Sequence, residues 1–172
     1  ITAPIRVRAT MLSRWPKWSG VSRARSPEEI LYALELIFET GEDALIEEWV
    51  EGREVVCGVI ENFRDEPLYA LLPNEIHLAA GAPFLEHYAR RDGGYRQTCP
   101  AQMTQQEKTE LQRLAARAHT LLGLRHYSAY DFIVHGTRGI YFLETDALPA
   151  LSTHSPLTAS LEAIGSLFAH FL

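Results

Sequence analysis

The sequence predicts an α+β fold on a mainly antiparallel sheet. Two observations carry that expectation. Strand-like stretches come in pairs around tight turns, and helix-like stretches occur singly between them. No repeat or low-complexity run interrupts the pattern.

The elements follow in order. Residues 4–9 (PIRVRA) alternate as a short strand does, and residues 10–20 (TMLSRWPKWSG) read as a loop with two Trp, a Pro and a Gly. A helix starts at Ser26-Pro27-Glu28-Glu29. Ser26 caps it, Pro27 fits its first position, and Glu29 completes a capping box. Ile30, Leu34, Ile37 and Phe38 line its apolar face, and Gly41 stops it. Residues 44–50 and 54–60 are strands around the turn Glu51-Gly52-Arg53, and 67–72 is a third. Residues 73–100 read as irregular, a length that is usually functional or mobile. Thr104 and Glu107 form a second capping box. The helix behind them buries Leu111, Leu114, Ala115, Ala118, Leu121 and Leu122, and Gly123 ends it. Residues 129–135 and 139–145 make a hairpin over a Gly-rich turn. Ser155-Pro156 opens a last helix that buries Leu161, Ile164, Leu167 and Phe171.

The composition, 47% hydrophobic and 22% charged, is that of a globular chain rather than a disordered one. No window is apolar enough to span a membrane. The chain begins at Ile1 without a signal-peptide pattern, so a piece of something longer is expected. The net charge of −6 speaks against duplex nucleic acid as a partner. Residues 1–25 nevertheless carry six cations (Arg6, Arg8, Arg14, Lys17, Arg23, Arg25) and no acid. A basic segment on an acidic body suits a small polyanion such as a nucleotide phosphate, or is simply a solvated loop. Cys57 and Cys99 lack metal-ligand spacing. They read as buried thiols of a reducing compartment, the cytoplasm.

The most chemical feature is Asp131 with Glu144 and Asp146. Glu144 and Asp146 are two apart on a strand and share a face. If the hairpin pairs His135 with Ile140, Asp131 lies opposite Glu144 and the three carboxylates meet; a slip of one residue separates them. Converging carboxylates raise one another's pKa unless a cation joins them, and oxygen-only ligands select a hard ion such as Mg²⁺. Three solvated strand acids are the alternative.

EEWVEGREV (Glu47 to Val55), CPA (Cys99 to Ala101) and YSAYDFIV…GIYFLETDALPALSTHSPL (Tyr127 to Leu157) resemble the D-alanine–D-alanine ligases of the ATP-grasp superfamily. The resemblance runs from about Pro4 to the C-terminus. It implies that residues 1–50 are the rear of the small central ATP-grasp domain and 51–172 the C-terminal ATP-grasp domain. The N-terminal domain that holds the first amino acid lies outside the match. The implied activity is an ATP- and Mg²⁺- (or Mn²⁺-) dependent carboxylate–amine ligation through an acyl phosphate, in peptidoglycan precursor synthesis. Amino acids would be the substrates, and family members are commonly homodimers. The 172 residues alone are expected not to ligate.

Carried over by position, the resemblance makes Asp131, Glu144 and Asp146 the metal ligands, with Asp146 where the family usually has Asn. Glu47, Glu48, Trp49 and Val50 become the adenine strand, and Glu54 the acid on the ribose hydroxyls. Ser155, at a helix N-terminus, matches a serine that binds the carboxylate of the second amino acid. Arg8 stands for a phosphate-binding lysine, and Arg90 for another, catalytic, phosphate lysine.

Departures from the family pattern bear on the chemistry. The loop after Arg8 is Gly/Ser-rich in the family, whereas MLSRWPKWSG carries Trp15, Pro16 and Trp18, which cannot approach phosphate as closely. Ala129 sits where the family has an arginine that stabilises the oxyanion, and Ala150 where it has a glycine of the same hole. Losing one such donor typically costs about 10²–10³ in rate. Three readings stay open: the family's ligase, a degenerate module that binds nucleotide or a partner without turnover, and a ligase for other substrates.

Overall fold

A computed structural model describes residues 5–10, 21–78 and 95–166. The loop expected over 10–20 therefore falls outside the described residues except for Thr10, as do Arg90, Leu167 and Phe171. The chain forms two compact units, one built on the residues up to Val50, the other on Glu51–His77 and the chain from Arg96 onward.

The first unit is a three-stranded antiparallel sheet with one helix. Its strands are β1 (Ile5–Thr10), β2 (Val21–Ala24) and β3 (Asp43–Glu48), in the order β2-β1-β3, with the helix α1 (Pro27–Phe38) against them. Strand β2 was not legible: VSRA is four residues long and half polar. Val7, Ala24, Ala33 and Ile37 are buried together, with Ile5, Ile30 and Leu34 against them. Phe38, expected on that face, is 57% exposed. The Ser26 hydroxyl accepts from the Glu29 amide as expected, but the Glu29 carboxylate accepts from the Arg25 amide instead of closing a capping box onto Ser26.

The second unit centres on β4 (Arg53–Phe63), an 11-residue strand. With β5 (Glu66–Ala70), β6 (Asn74–Leu78), β7 (Tyr95–Thr98), β8 (Tyr127–His135) and β9 (Gly139–Asp146) it forms a sheet of order β7-β6-β4-β8-β9, in which β5 also pairs with β4. One edge of β4 is shared, β6 taking Glu54–Val56 and β5 taking Val59–Phe63, while β8 runs along the other. Strands β3 and β4 do not form a hairpin around Gly52 but belong to different sheets. The stretch 73–100, expected to be irregular, contains β6 and β7.

Alternation along β4 and β8 divides the second core. On one face Val55, Cys57, Val59, Tyr130 and Phe132 pack with Leu111 and Ala115 of α2 (Gln105–Leu121). Its capping box is complete, Thr104 accepting from the Glu107 amide and Glu107 from the Thr104 amide. Leu114 and Ala118 flank this core, but Leu121 and Leu122, expected inside, are 74% and 56% exposed. On the other face Ile60 and Leu71 pack with Leu157 and Leu161 of α3 (Pro156–Ala163). Gly58 makes that approach possible: a Cβ there would lie 2.4 Å from Leu157 Cδ1.

Candidate functional site

The β8–β9 hairpin decides where the carboxylates stand. Near its turn His135 pairs with Gly139 and Val134 with Ile140, one residue away from the expected His135–Ile140 register. Continued unbroken, this register would set Leu143 opposite Asp131 and turn Glu144 to the other face. A β-bulge between Asp131 and Phe132 prevents that. Phe132 pairs with Phe142, Asp131 with Glu144 and Ala129 with Asp146, leaving Leu143 as the extra residue. Asp131, Glu144 and Asp146 thus share one face. Glu54, paired with Ile133, lies on it too. It is the face away from α2.

Asp131 is buried at 8% exposure, while Glu144 and Asp146 are half-buried. Asp146 Oδ1 also accepts from the Leu148 amide at 3.1 Å, which fixes the chain as it leaves β9. An oxygen-only donor set on one face fits a hard divalent cation in type. Among the described residues no group of three His, Cys, Asp or Glu side chains is placed so that it could hold a metal ion, so the fit is one of donor type alone. Such a cation commonly completes its shell with water and substrate phosphate.

Ala129 occupies the same face between Gly58 of β4 and Asp146 of β9. Across three strands this row supplies a glycine, an alanine and an acid, and no cation. Ala150 is exposed on the segment after β9.

Ser155 is the N-cap of α3. Its hydroxyl accepts from the Thr158 amide at 3.2 Å and lies 2.9 Å from Thr158 Oγ1, and the residue is 5% exposed. The start of α3 is held by residues that sequence reasoning missed. Asn74, fully buried on β6, donates through Nδ2 to the Pro156 carbonyl at 3.2 Å and to Gln97 Oε1 at 3.0 Å. Gln97 on β7 donates in turn to the His154 carbonyl at 3.3 Å. No motif marks either amide.

Behind the sheet, His119 of α2 lies 2.7 Å from Ser128 Oγ, which donates to the Tyr130 hydroxyl. Burial lowers the His119 pKa below its ordinary value, against the pull of Glu61 3.9 Å away. Both cysteines are free, and burial raises both thiols. Cys57 is wholly buried as expected, while Cys99 is only partly so.

In the first unit Glu47 sits opposite Arg6, at 3.9 Å between Glu47 Oε2 and Arg6 Nε, and Glu48 sits opposite Ile5. Trp49 and Val50 follow the end of β3. The Arg23 guanidinium lies over the Trp49 ring, 4.6 Å from its centroid. Arg8 sits on β1, opposite Leu45 and Val21.

Solved structures of D-alanine–D-alanine ligases share this fold. D-alanyl-alanine synthetase A from Vibrio cholerae matches with a TM-score of 0.80 and 26% identity, over 98% of this chain and 50% of that one. The D-alanine–D-alanine ligase from Bacillus anthracis, solved in complex with ATP, matches with a TM-score of 0.75 and 19% identity, over 99% of this chain and 50% of that one. A family model described as D-ala D-ala ligase C-terminus matches residues 18–172. The D-alanine–D-alanine ligase of Maridesulfovibrio salexigens is 33% identical over 87% of this chain and 47% of its own length. The chain belongs to the D-alanine–D-alanine ligase family. It spans about half the length of the curated relatives it matches.

Proposed function

We propose that this chain supplies the nucleotide and metal side of an ATP-dependent carboxylate–amine ligase of the D-alanine–D-alanine type, acting in cytoplasmic peptidoglycan precursor synthesis. Residues 1–50 would be the rear of the central domain and 51–172 the C-terminal domain. The observation that carries this reading is the bulge, which returns Glu144 and Asp146 to the face of Asp131. Carboxylate oxygens so placed are the donor type that a hard divalent cation takes.

In this reading the carboxylate of one amino acid takes the γ-phosphoryl group of ATP, giving an acyl phosphate and ADP. The amine of the second then displaces phosphate. Asp131, Glu144 and Asp146 would hold Mg²⁺ or Mn²⁺, which neutralises charge spreading over the transferring phosphoryl oxygens. Glu47 to Val50 receive the base, and Glu54 accepts from the ribose hydroxyls. Arg8 and Arg90 bring positive charge to the phosphates. Ser155 takes part in holding the second carboxylate, aided by the partial positive charge at the N-terminus of α3. A homodimer would be the working form.

A second reading, a module that binds nucleotide without turnover, is favoured by the Gly58–Ala129–Asp146 row. That row offers an oxyanion no positive partner. ADP release by the native-length protein, screened across D- and L-amino acids, separates the two. Release that depends on an amino-acid pair supports the ligase. ATP binding with no release under any pair supports the second reading, and Ala129→Arg should then raise turnover if the oxyanion donor is what is missing.

A further inference from the structure

We infer that Arg6 and Arg23 are positioning residues that hold the base-receiving segment Glu47–Val50 in shape for a purine nucleotide. The inference deepens the nucleotide reading and rests on it.

Arg6 of β1 pairs with Glu47 on one side and with Arg23 of β2 on the other, so the three side chains leave the same face of the small sheet. Core residues Val7 and Ala24 occupy the opposite, α1 face. Trp49 is two residues beyond Glu47, so continued alternation carries it to the side of Arg6 and Arg23. The contacts agree. Arg6 Nε reaches Glu47 Oε2 at 3.9 Å, and Arg23 lies 4.6 Å over the Trp49 ring.

Each arginine thus lies against one side chain of the segment. A guanidinium suits both tasks, because its flat face stacks on indole while its edge meets a carboxylate. The Arg6 side chain is only 12% exposed, so its pairing with Glu47 is less screened than a surface one. The arrangement fixes Glu47 and Trp49 before a base arrives, and affinity lost to ordering them is thereby saved. The alternative is that the same arginines bind phosphate directly.

The test compares Kd for ATP and for inorganic tripolyphosphate, each with Mg²⁺, in the full chain and in Arg23→Ala, Arg23→Lys and Arg6→Ala. Positioning predicts that Arg23→Ala weakens ATP about two- to fivefold. Tripolyphosphate should be unchanged, and Arg23→Lys should restore part of the loss. Equal weakening of both ligands places the arginines on phosphate and overturns the inference, as does no weakening of either. A wild-type chain that binds no ATP refutes the nucleotide reading itself. Positioning is then judged without ligand, in a Trp15→Phe/Trp18→Phe background where Trp49 is the sole emitter. There Arg23→Ala should increase acrylamide quenching of Trp49, and unchanged quenching overturns the inference.

Discussion

Among the described glycines, Gly52 is the one where an added Cβ would meet backbone. A Cβ at this position would lie 2.5 Å from Ile133 Cγ2, 2.6 Å from the Val134 carbonyl oxygen and 3.0 Å from its carbon. Comfortable carbon contacts begin near roughly 3.5 Å, so Gly52→Ala is short by about 1 Å. The Ile133 methyl can rotate away, but the Val134 carbonyl is backbone of a central strand paired with Arg53. Either β8 or the entry to β4 must move. Overpacking typically costs about 1–3 kcal/mol, and a clash with backbone belongs at the upper end. For a chain of this size each kcal/mol lowers Tm by about 2–4 °C, so Gly52→Ala should melt about 6–12 °C below wild type. Gly58→Ala is the control. Its Cβ would come within 2.4 Å of Leu157 Cδ1 and 2.9 Å of Leu71 Cδ1, both flexible side-chain ends. It should cost less, about 1–2 kcal/mol. Thermal melts by circular dichroism decide. A Gly52→Ala melt within 2 °C of wild type, or one milder than Gly58→Ala, would refute the reasoning.

Other outcomes follow from the same packing. Leu157→Ala removes a side chain that is 2% exposed among Ile60, Leu71 and Leu161, and denaturant titration should show a loss of about 2–5 kcal/mol. Thr104→Ala opens the α2 capping box and should cost about 1 kcal/mol in the same assay. The third concerns acid. Burial lowers the His119 pKa in the folded chain below its unfolded value near 6.5, so on acidification the unfolded chain takes up this proton first. Stability from neutral His119 is therefore present above pH 6.5 and is lost as pH falls through that value towards the folded pKa. His119→Gln keeps a polar group near Ser128 and should flatten the stability profile between pH 7 and 5.5 relative to wild type. Parallel profiles would remove His119 as the cause.

Helix starts were legible because Ser26, Thr104 and Ser155 each accept from the amide three residues on, a local bond that needs no tertiary context. Strand β6 was hidden because its residues Asn74 and Glu75 are polar yet buried, held by partners far along the chain: Asn74 by Gln97 and Pro156, Glu75 by the Gln102 amide. Leu121 and Leu122 follow the helical period but sit at the end of α2, where they stay exposed. The carboxylate pairing was expected from a register that the structure keeps only on the Asp131 side of the hairpin. The bulge that reconciles the two halves has no signature in YDFIVHGTRGIYFLETD. Glu54 was legible through resemblance alone, and its place on the carboxylate face follows from the β4–β8 register.

Calorimetric titration of ATP into the longest native chain, with and without Mg²⁺, alongside Asp131→Asn and Glu144→Gln, reads the carboxylate face as a metal and nucleotide site. Magnesium-dependent binding that either substitution abolishes is expected. No binding at millimolar ATP, or binding indifferent to magnesium and to both substitutions, would contradict that assignment.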